Sequence, residues 1–295
     1  MDPREVLRRA HAAAQSARAA GETVRFYSSS DDEAYARRYW ILREFKKAIA
    51  GKQLHLVYQP HVDFRSGEAV SVEALVRWNH PEGGMISPAE FVPIIEATTH
   101  MRSLTDWVID TALSQLANWH ADGLEISLSL NVAAIDLAHP DFVPMLQDAI
   151  GHHGISADHV ELELTEGIIM GETKDGLAKL AHLSGLGFKL AIDDFGTGYS
   201  SLSYLQNLPA DIVKIDRSFL AGIITDAKAK TLVLAMITLC KDLGYRVVAE
   251  GIEDSGTRDL MYQAGCDEAQ GYFYGKPMMP EELAAWFTRP RPMAA

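Results

Sequence analysis

The sequence has few of the features of secreted or membrane-spanning proteins. Its 295 residues include only two cysteines, Cys240 and Cys266, each in an apolar stretch near the end of a predicted helix. Isolated thiols of this kind are typical of reduced, buried cysteines, which favours a cytoplasmic location. The longest apolar run, Thr231–Cys240, is about half the length that a bilayer requires. We therefore expect no membrane segment in this chain, although a longer parent protein with a membrane anchor stays open.

Basic residues are also scarce. The chain has 27 lysines and arginines against 40 aspartates and glutamates, a formal net charge of −13. A protein that binds a nucleic acid polymer through its phosphates needs a basic surface, so we expect no such partner. If the ligand is a phosphate ester, metal ions are the obvious means of holding it.

What the chain does have is a regular alternation of short apolar strands and amphipathic helices. Eight strands are predicted: Leu54–Phe64, Ser71–Trp78, Glu125–Val132, His159–Glu166, Lys189–Phe195, Asp211–Asp216, Arg246–Ile252 and Asp267–Tyr274. Such alternation predicts an α/β fold with a parallel sheet, closed as a TIM-type (β/α)8 barrel. Only Arg65–Glu68 separates the first two strands, which is a hairpin connection. We therefore expect the first strand to run antiparallel to the rest.

Helix ends are marked by residues of known preference. Ser87-Pro88-Ala89-Glu90 predicts a capping box with proline at the first helical position. Gly187, Gly244 and Gly265 stand where a helix should end before the next strand. Before the barrel, Arg4–Ala20 and Asp32–Ala50 predict helices, with a possible short strand at 24–27.

Polar side chains recur on the strand face that a barrel turns inward, most of them near the carboxyl ends of the strands. They are Glu73, Arg77, Ser127, Ser129, Asn131, Glu161, Glu163, Thr165, Asp193, Lys214, Glu250 and Gln270, and Asp194 follows Asp193 at the end of its strand. Carboxylates and an amide at that end of a barrel favour an oxygen-ligand site for Mg²⁺ or Mn²⁺. The alternative is a set of separate salt bridges, for which Arg77 and Lys214 are the obvious interior partners.

Together with their neighbours, these residues resemble the EAL domains, the cyclic di-GMP phosphodiesterases. The name-giving motif is Glu73-Ala74-Leu75, followed by Val76-Arg77-Trp78. The resemblance runs from about Leu54 to Phe287. It includes Tyr58-Gln59-Pro60, Leu130-Asn131-Val132, Glu163-Leu164-Thr165-Glu166, Asp193 to Leu202, Val213-Lys214-Ile215-Asp216, Ala249 to Glu253 and Gln270-Gly271-Tyr272.

The resemblance implies a barrel with its first strand reversed and hydrolysis of cyclic di-GMP to linear pGpG by two Mg²⁺ or Mn²⁺ ions. The implied metal ligands are Glu73, Asn131, Glu163, Asp193, Asp194 and Glu250. The implied catalytic residues are Glu73, Asp193, Lys214 and Glu250. The implied substrate contacts are Gln59, Leu75, Arg77, Asp216 and Gln270. Adjacent strand residues point to opposite faces, so Asp193 and Asp194 both reach the site only if the chain turns after Asp193, at Gly196–Gly198.

Glu166 has a different predicted role. By strand parity it shares a face with Leu162 and Leu164, opposite to Glu163. We therefore expect it to accept hydrogen bonds from the backbone of the segment 196–201 and to support that loop. The resemblance implies the same role and places the loop near the interface of a homodimer.

The first residues resemble the end of a GGDEF domain, the cyclase module that often precedes an EAL domain. We divide the chain into a GGDEF-like remnant at 1–30, a connecting helix at 31–50 and an EAL barrel at 51–290. A longer parent protein with upstream GGDEF or sensor domains is then expected.

Two other functions stay open: a receptor that binds cyclic di-GMP without hydrolysis, and a Mg²⁺-dependent barrel lyase. Phe273 and Tyr274 either stack on guanine or pack in the core.

Overall fold

The computed structural model describes residues 3–19, 21–24, 26–171, 174–198, 205–206 and 208–287. The chain divides into two compact units, one of residues 1–54 and 78–100 and the other of residues 55–77 and 101–295. In the described part of the chain, no helix combines the length and the apolar character that a bilayer crossing needs.

The first unit contains α1 (Pro3–Ala19), α2 (Ser29–Ala50), strand β3 (Gly84–Ile86) and α3 (Pro88–Glu96). Its core is aromatic: the ring of Trp78 lies 5.5 Å from that of Phe45 and 5.4 Å from that of Phe91, both edge-on. Edge-to-face pairs of large rings bury much apolar area with few residues, which suits so small a unit. Both predicted helices are present within a few residues of their expected limits. The described residues between them form no strand, and β3 was not predicted.

Helix α3 begins as expected with Pro88 in its first turn, but the predicted capping box is wrong. Ser87 is the N-cap residue and makes no side-chain capping hydrogen bond. The carboxylate of Glu90 is instead engaged by Arg37, whose Nε and Nη2 donate to it at 2.6 and 3.0 Å. A two-point contact with a guanidinium is stronger than a neutral capping bond, so Glu90 turns away from the helix end.

The second unit is a closed barrel. Its strands are β1 (Leu54–Asp63), β2 (Ala69–His80), β4 (Ser127–Asn131), β5 (Val160–Thr165), β6 (Lys189–Phe195), β7 (Ile212–Ile215), β8 (Arg246–Ala249) and β9 (Glu268–Ala269). They are hydrogen-bonded in the order β1-β9-β8-β7-β6-β5-β4-β2, and a further β1–β2 pairing closes the ring. Strand β1 is antiparallel to β9, and the pairings from β2 through β4 to β9 are parallel. The predicted fold, with its reversed first strand, is confirmed.

Helices of the barrel follow the strands. They are α4 (His100–Ala121), α5 (Ala134–Ala138), α6 (Phe142–His153), α7 (Glu166–Gly171), α8 (Lys174–Gly185), α9 (Arg217–Leu220), α10 (Ala227–Asp242), α11 (Ser255–Ala264) and α12 (Pro280–Phe287). Gly187, Gly244 and Gly265 follow helices with φ of 101°, 88° and 94°. Glycine reaches this region without steric cost, so the chain can reverse into the next strand.

Two kinds of side chain fill the barrel interior. Ala191, Ile212 and Val248 form a small apolar layer across three neighbouring strands. The next inward-facing residues along those strands are Asp193, Lys214 and Glu250, two positions nearer the carboxyl ends. The apolar layer therefore forms the floor beneath a polar site.

Further polar groups lie towards the amino ends of the parallel strands. Ser129 Oγ donates to Glu161 at 2.9 Å, and Arg246 forms an ion pair with the buried Glu268. We had expected only Arg77 and Lys214 as interior partners for the acids. Arg246 is a third, and the alternation of strand faces could have identified it, because it lies two positions before the inward-facing Val248.

Candidate active site

A single buried lysine gathers the acids predicted for the site. Nζ of Lys214, on β7, lies 2.7 Å from Glu250 Oε1, 2.8 Å from Glu163 Oε1, 3.5 Å from Asp193 Oδ1 and 4.0 Å from Glu73 Oε2. The lysine side chain is only 2% exposed. Four carboxylates, three of them on β2, β5 and β6 and the fourth directly after β8, thus converge on one ammonium group, in place of the separate salt bridges that were the alternative.

Strand register explains the convergence. Asn131 on β4 is paired with Glu163 on β5, and Thr165 on β5 is paired with Asp193 on β6. Parallel pairing keeps inward-facing residues of neighbouring strands at similar heights, so these polar groups meet at the carboxyl end of the barrel.

Amide side chains hold the outer side of the cluster. Asn131 Nδ2 donates to Glu73 Oε1 at 2.8 Å, and Gln270 Nε2 donates to Glu73 Oε2 at 2.7 Å. Gln270 Nε2 also lies 3.2 Å from Gln59 Oε1, and Gln59 Nε2 donates to the carbonyl of Gly275 at 3.0 Å. Each oxygen of Glu73 therefore has a fixed donor, which orients its carboxylate towards the barrel axis.

Burial and mutual repulsion perturb the acids. Burial raises the pKa of Glu163 well above its usual range against the opposing charge of Lys214. Burial, with the neighbouring carboxylates, raises the pKa of Glu250 to about 7. Burial also acts on Glu73, but the Lys214 charge and the two amide donors outweigh it, and the pKa of Glu73 is lowered. For Lys214, burial favours the neutral amine, yet the surrounding acids raise its pKa well above the usual value.

Asp194 departs from the expected strand geometry. It has φ of 53°, the left-handed region that non-glycine residues seldom adopt, and the β6–β7 register shifts between Ile192 and Phe195. The chain therefore bends at Asp194 itself, before the glycine at 196 where we had placed the turn. Burial and the nearby charges of Asp193 and Asp216 raise the pKa of Asp194, consistent with a second carboxylate at this mouth of the barrel.

Glu166 lies apart from the lysine cluster. Its Oε2 accepts hydrogen bonds from the backbone N–H of Gly196 at 2.9 Å and of Gly198 at 3.4 Å. A Cβ on Gly198 would come within 2.8 Å of Glu166 Oε1, so a side chain there would compete with the carboxylate for space. The geometry is the one expected of a loop support. The rest of the predicted contact region, residues 199–201, lies outside the described residues.

Three further predicted substrate contacts lie on β2 and directly after β7. Arg77 is half-buried, and its Nη1 donates to the carbonyl of Val76 at 2.9 Å. Leu75 is half-buried on the same strand face as Glu73 and Arg77. Asp216 caps helix α9, where its Oδ1 accepts from the N–H of Ser218 at 2.9 Å.

The acids fit divalent cations by type and by burial. Both oxygens of Glu163 and Oδ1 of Asp193 are buried, and the charged group they face is the ammonium of Lys214, 2.8 Å from Glu163 Oε1 and 3.5 Å from Asp193 Oδ1. Carboxylate and amide oxygens are the donors that Mg²⁺ and Mn²⁺ prefer. Within the described residues, no three acidic, histidine or cysteine side chains are spaced to hold an ion, and the ammonium of Lys214 lies among the carboxylates.

Comparison with known proteins decides the family. The profile of the EAL domain matches residues 42–277, which is most of the chain. The chain belongs to the EAL domain family.

Relatives from Pseudomonas aeruginosa support this assignment. A protein named cyclic di-GMP phosphodiesterase PA2567 is 40% identical over 284 residues, which cover 96% of this chain. The bifunctional diguanylate cyclase/cyclic di-GMP phosphodiesterase MucR is 36% identical over 264 residues, or 88% of this chain. The matches span 48% and 38% of the lengths of those relatives.

Solved structures of EAL proteins have the same fold. The phosphodiesterase PaMucR in complex with c-di-GMP superposes with a TM-score of 0.80 at 37% identity, over 83% of this chain and 99% of that one. The EAL enzyme Bd1971 in its cAMP-bound form gives a TM-score of 0.81 at 31% identity, over 88% and 72%.

Two features near the EAL site were missed in the sequence. His61, fully buried on β1, has its Nδ1 3.0 Å from Ser71 Oγ; its inward parity with Gln59 was the available signal. The exposed aromatic residue after Gln270 is Tyr272, whereas Phe273 and Tyr274 pack against the core. Of the two readings of Phe273 and Tyr274, core packing is confirmed.

Proposed function

We propose that this chain hydrolyses cyclic di-GMP to linear pGpG with two Mg²⁺ or Mn²⁺ ions, and so lowers the level of a bacterial second messenger. The observation that carries the proposal is the convergence of four carboxylates, from three strands of an EAL barrel and the position directly after a fourth, on the buried Lys214. The likeness to a phosphodiesterase solved with c-di-GMP supports the choice of substrate.

The metal ligands we propose are Glu73, Asn131, Glu163 and Asp193 for one ion, with Asp193, Asp194 and Glu250 for the other. When bound, two such ions neutralise charge on the reacting phosphate and make water a better nucleophile. Glu73 is already oriented by two amide donors, so little rearrangement is needed for it to become a ligand. The left-handed backbone at Asp194 supports its inclusion, because it breaks the strand alternation that would turn this side chain away from that of Asp193.

Lys214 is proposed to orient the attacking water as an ammonium, the form that the surrounding acids favour by raising its pKa. In this arrangement the same ammonium screens the carboxylates from one another. Arg77 is proposed to hold a phosphate oxygen. It is half-buried, and the hydrogen bond described above joins its guanidinium to a neutral backbone carbonyl, so its positive charge is available to an anion. Gln59, Gln270, Leu75 and Asp216 would complete the contacts with the nucleotide.

The wider setting is also proposed. The chain spans less than half of its P. aeruginosa relatives, and we infer a longer parent protein whose GGDEF or sensor domains precede residues 31–50. A homodimer formed near the loop supported by Glu166 is part of the same proposal. A cytoplasmic location agrees with the free, buried thiols of Cys240 and Cys266.

Product analysis tests the proposal. Purified protein is incubated with Mn²⁺ and cyclic di-GMP, and the mixture is resolved by chromatography against a pGpG standard. We expect conversion to pGpG by the wild type and none by Glu73→Ala, with Glu281→Ala, an exposed acid on α12, as an active control. Binding without conversion would favour the receptor, and neither binding nor conversion would favour the lyase.

A further inference from the structure

A buried histidine lies next to the candidate site. His61 on β1 is 1% exposed and shares its strand face with Gln59, two positions away. Strand β1 pairs with β9 in a register that sets Val62 opposite Ala269. Continued by one position, this register sets His61 opposite Gln270, and the side chains of such a pair start about 4.5–5.5 Å apart. His61 and Gln270 are therefore neighbours on the inner face of the barrel.

The ring of His61 is enclosed on both sides. Its Nδ1 lies 3.0 Å from Oγ of the buried Ser71. Its Nε2 is also buried and makes no hydrogen bond of good geometry within the described part of the chain. Burial, followed by the charge of Lys214, lowers the pKa of His61 to about 3, whereas Asp193 and hydrogen bonding with Gln270 act in the opposite direction. The ring is therefore neutral near pH 7, and Gln270 is within its reach.

A neutral imidazole has one donor and one acceptor, and its neighbours decide which nitrogen is which. The amide nitrogen of Gln270 donates to Glu73 Oε2 at 2.7 Å and to Gln59 Oε1 at 3.2 Å. A flipped amide would set its oxygen against the carboxylate of Glu73, so the oxygen of Gln270 is the atom left for His61. Only Nε2–H matches that oxygen, and Nδ1 then accepts from the hydroxyl of Ser71.

The buried Nε2–H also has a reason to complete this contact. A buried donor without an acceptor costs about 1–3 kcal/mol, so a small rotation of the ring or the amide that joins them is favoured. The result is a chain of hydrogen bonds from Ser71 through His61 and Gln270 to Glu73.

We propose that His61 is a positioning residue, whose Nε2–H holds the oxygen of Gln270 and so keeps the amide nitrogen of Gln270 on Glu73. This inference rests on the proposed function, in which Glu73 is a ligand of the first ion. Loss of a group that orients a metal ligand typically lowers metal affinity or activity about 10–100-fold. Without His61, the amide of Gln270 is free to turn and to present its oxygen to Glu73.

The tautomer of His61 is the first test, and it needs neither metal nor substrate. The imidazole ¹⁵N shifts of the metal-free protein, labelled with ¹⁵N-histidine, distinguish rings protonated on Nε2 from rings protonated on Nδ1. The signal that is missing from a His61 variant identifies this residue. We expect a neutral ring protonated on Nε2. A ring protonated on Nδ1, or on both nitrogens, would overturn the inference.

Mn²⁺ titration and steady-state kinetics of two variants are the second test. His61→Leu keeps much of the volume and loses both polar atoms, and His61→Gln keeps an N–H donor. We expect His61→Leu to weaken Mn²⁺ binding about tenfold or more and to lower kcat with little change in KM, and His61→Gln to recover most of both losses. His120→Leu is the matched control, because His120 Nε2 lies 2.8 Å from the carbonyl of Ile126, directly before β4, and it should bind Mn²⁺ as the wild type does.

The outcomes separate this inference from the proposed function. Unchanged Mn²⁺ affinity in His61→Leu, with a wild type that forms pGpG, would overturn the positioning role alone. Equal losses in His61→Leu and His61→Gln would assign the effect to the shape of the ring and overturn it as well. A wild type that binds Mn²⁺ with the expected order of variants but forms no pGpG would overturn the proposed function alone. A wild type that binds no Mn²⁺ would overturn both.

Discussion

Nζ of Lys214 lies 2.8 Å from Oε1 of Glu163, and neither side chain is more than 2% exposed. A buried ion pair costs free energy to desolvate, so its partners are strongly interdependent. Here the lysine is the counter-charge of several acids at once. Without its charge, these buried carboxylates would repel one another.

Lys214→Ala should therefore affect both stability and chemistry. We expect the free energy of unfolding to fall by about 3–5 kcal/mol, since buried carboxylates lose their counter-charge. Turnover should fall about 100-fold or more with little change in KM, because the proposed role belongs to the transition state. Denaturant unfolding and steady-state kinetics measure these effects.

Lys241→Ala is the control for Lys214→Ala. The ion pair of Lys241 with Asp267 is partly exposed, and its loss should lower the free energy of unfolding by under about 1 kcal/mol. A rise in KM alone would make the assigned role of Lys214 wrong.

Arg77→Ala should show the opposite kinetic pattern. If Arg77 holds a phosphate oxygen in the ground state, KM should rise about tenfold or more while kcat changes little. Arg65→Ala, an exposed arginine in the β1–β2 hairpin, should leave both constants unchanged. An equal fall in kcat and kcat/KM for Arg77→Ala would instead place its interaction in the transition state.

Glu166→Ala should lower turnover sharply while Mn²⁺ still binds at the first ion site. The variant removes the acceptor for the N–H groups of Gly196 and Gly198, and so frees the segment that follows Asp194. Glu166→Gln keeps an acceptor oxygen and should recover part of the activity. Mn²⁺ titration and sedimentation measure metal affinity and the proposed dimer. Loss of first-site affinity in both variants would make Glu166 a ligand and the parity argument wrong.

Gly271→Ala should disturb the glutamine that orients Glu73. A Cβ at this position would lie 2.1 Å from the carbonyl oxygen and 2.3 Å from the nitrogen of Ile252, which no rotamer change relieves. We expect a stability loss of about 1–3 kcal/mol with reduced turnover, as for other overpacked positions. Gly185→Ala, whose Cβ would meet open space at a helix end, should be neutral or stabilising. Thermal unfolding of both variants makes the comparison, and equal stability would contradict it.

Much of this architecture was predictable because it follows from the alternation of apolar and polar residues along the strands. Strand parity placed Glu73, Glu163 and Lys214 on the inner face, and helix-ending glycines placed the boundaries. Glu166 was assigned outward by the same rule, but it begins helix α7 directly after β5, so its bonds to Gly196 and Gly198 depend on the strand end and not on strand parity.

What the sequence did not disclose depends on contacts between distant segments. Glu90 was expected to cap its own helix, but Arg37, 53 positions away, engages it. The bend at Asp194 required φ of 53° at a residue that rarely adopts it, so the following glycine was the natural choice for the turn. Which aromatic residue after Gln270 stays exposed depends on the turn at 271–275, where Gly275 accepts a hydrogen bond from Gln59, 216 positions away.

Removal and return of divalent ions tests the central claim most directly. Cyclic di-GMP turnover is measured in excess chelator, then after dialysis into Mg²⁺, Mn²⁺ or Ca²⁺, with pGpG quantified in each case. We predict no turnover in chelator, recovery with Mg²⁺ or Mn²⁺, and little with Ca²⁺, which binds oxygen ligands at longer distances. Full turnover in excess chelator would contradict the two-metal account of the carboxylates around Lys214.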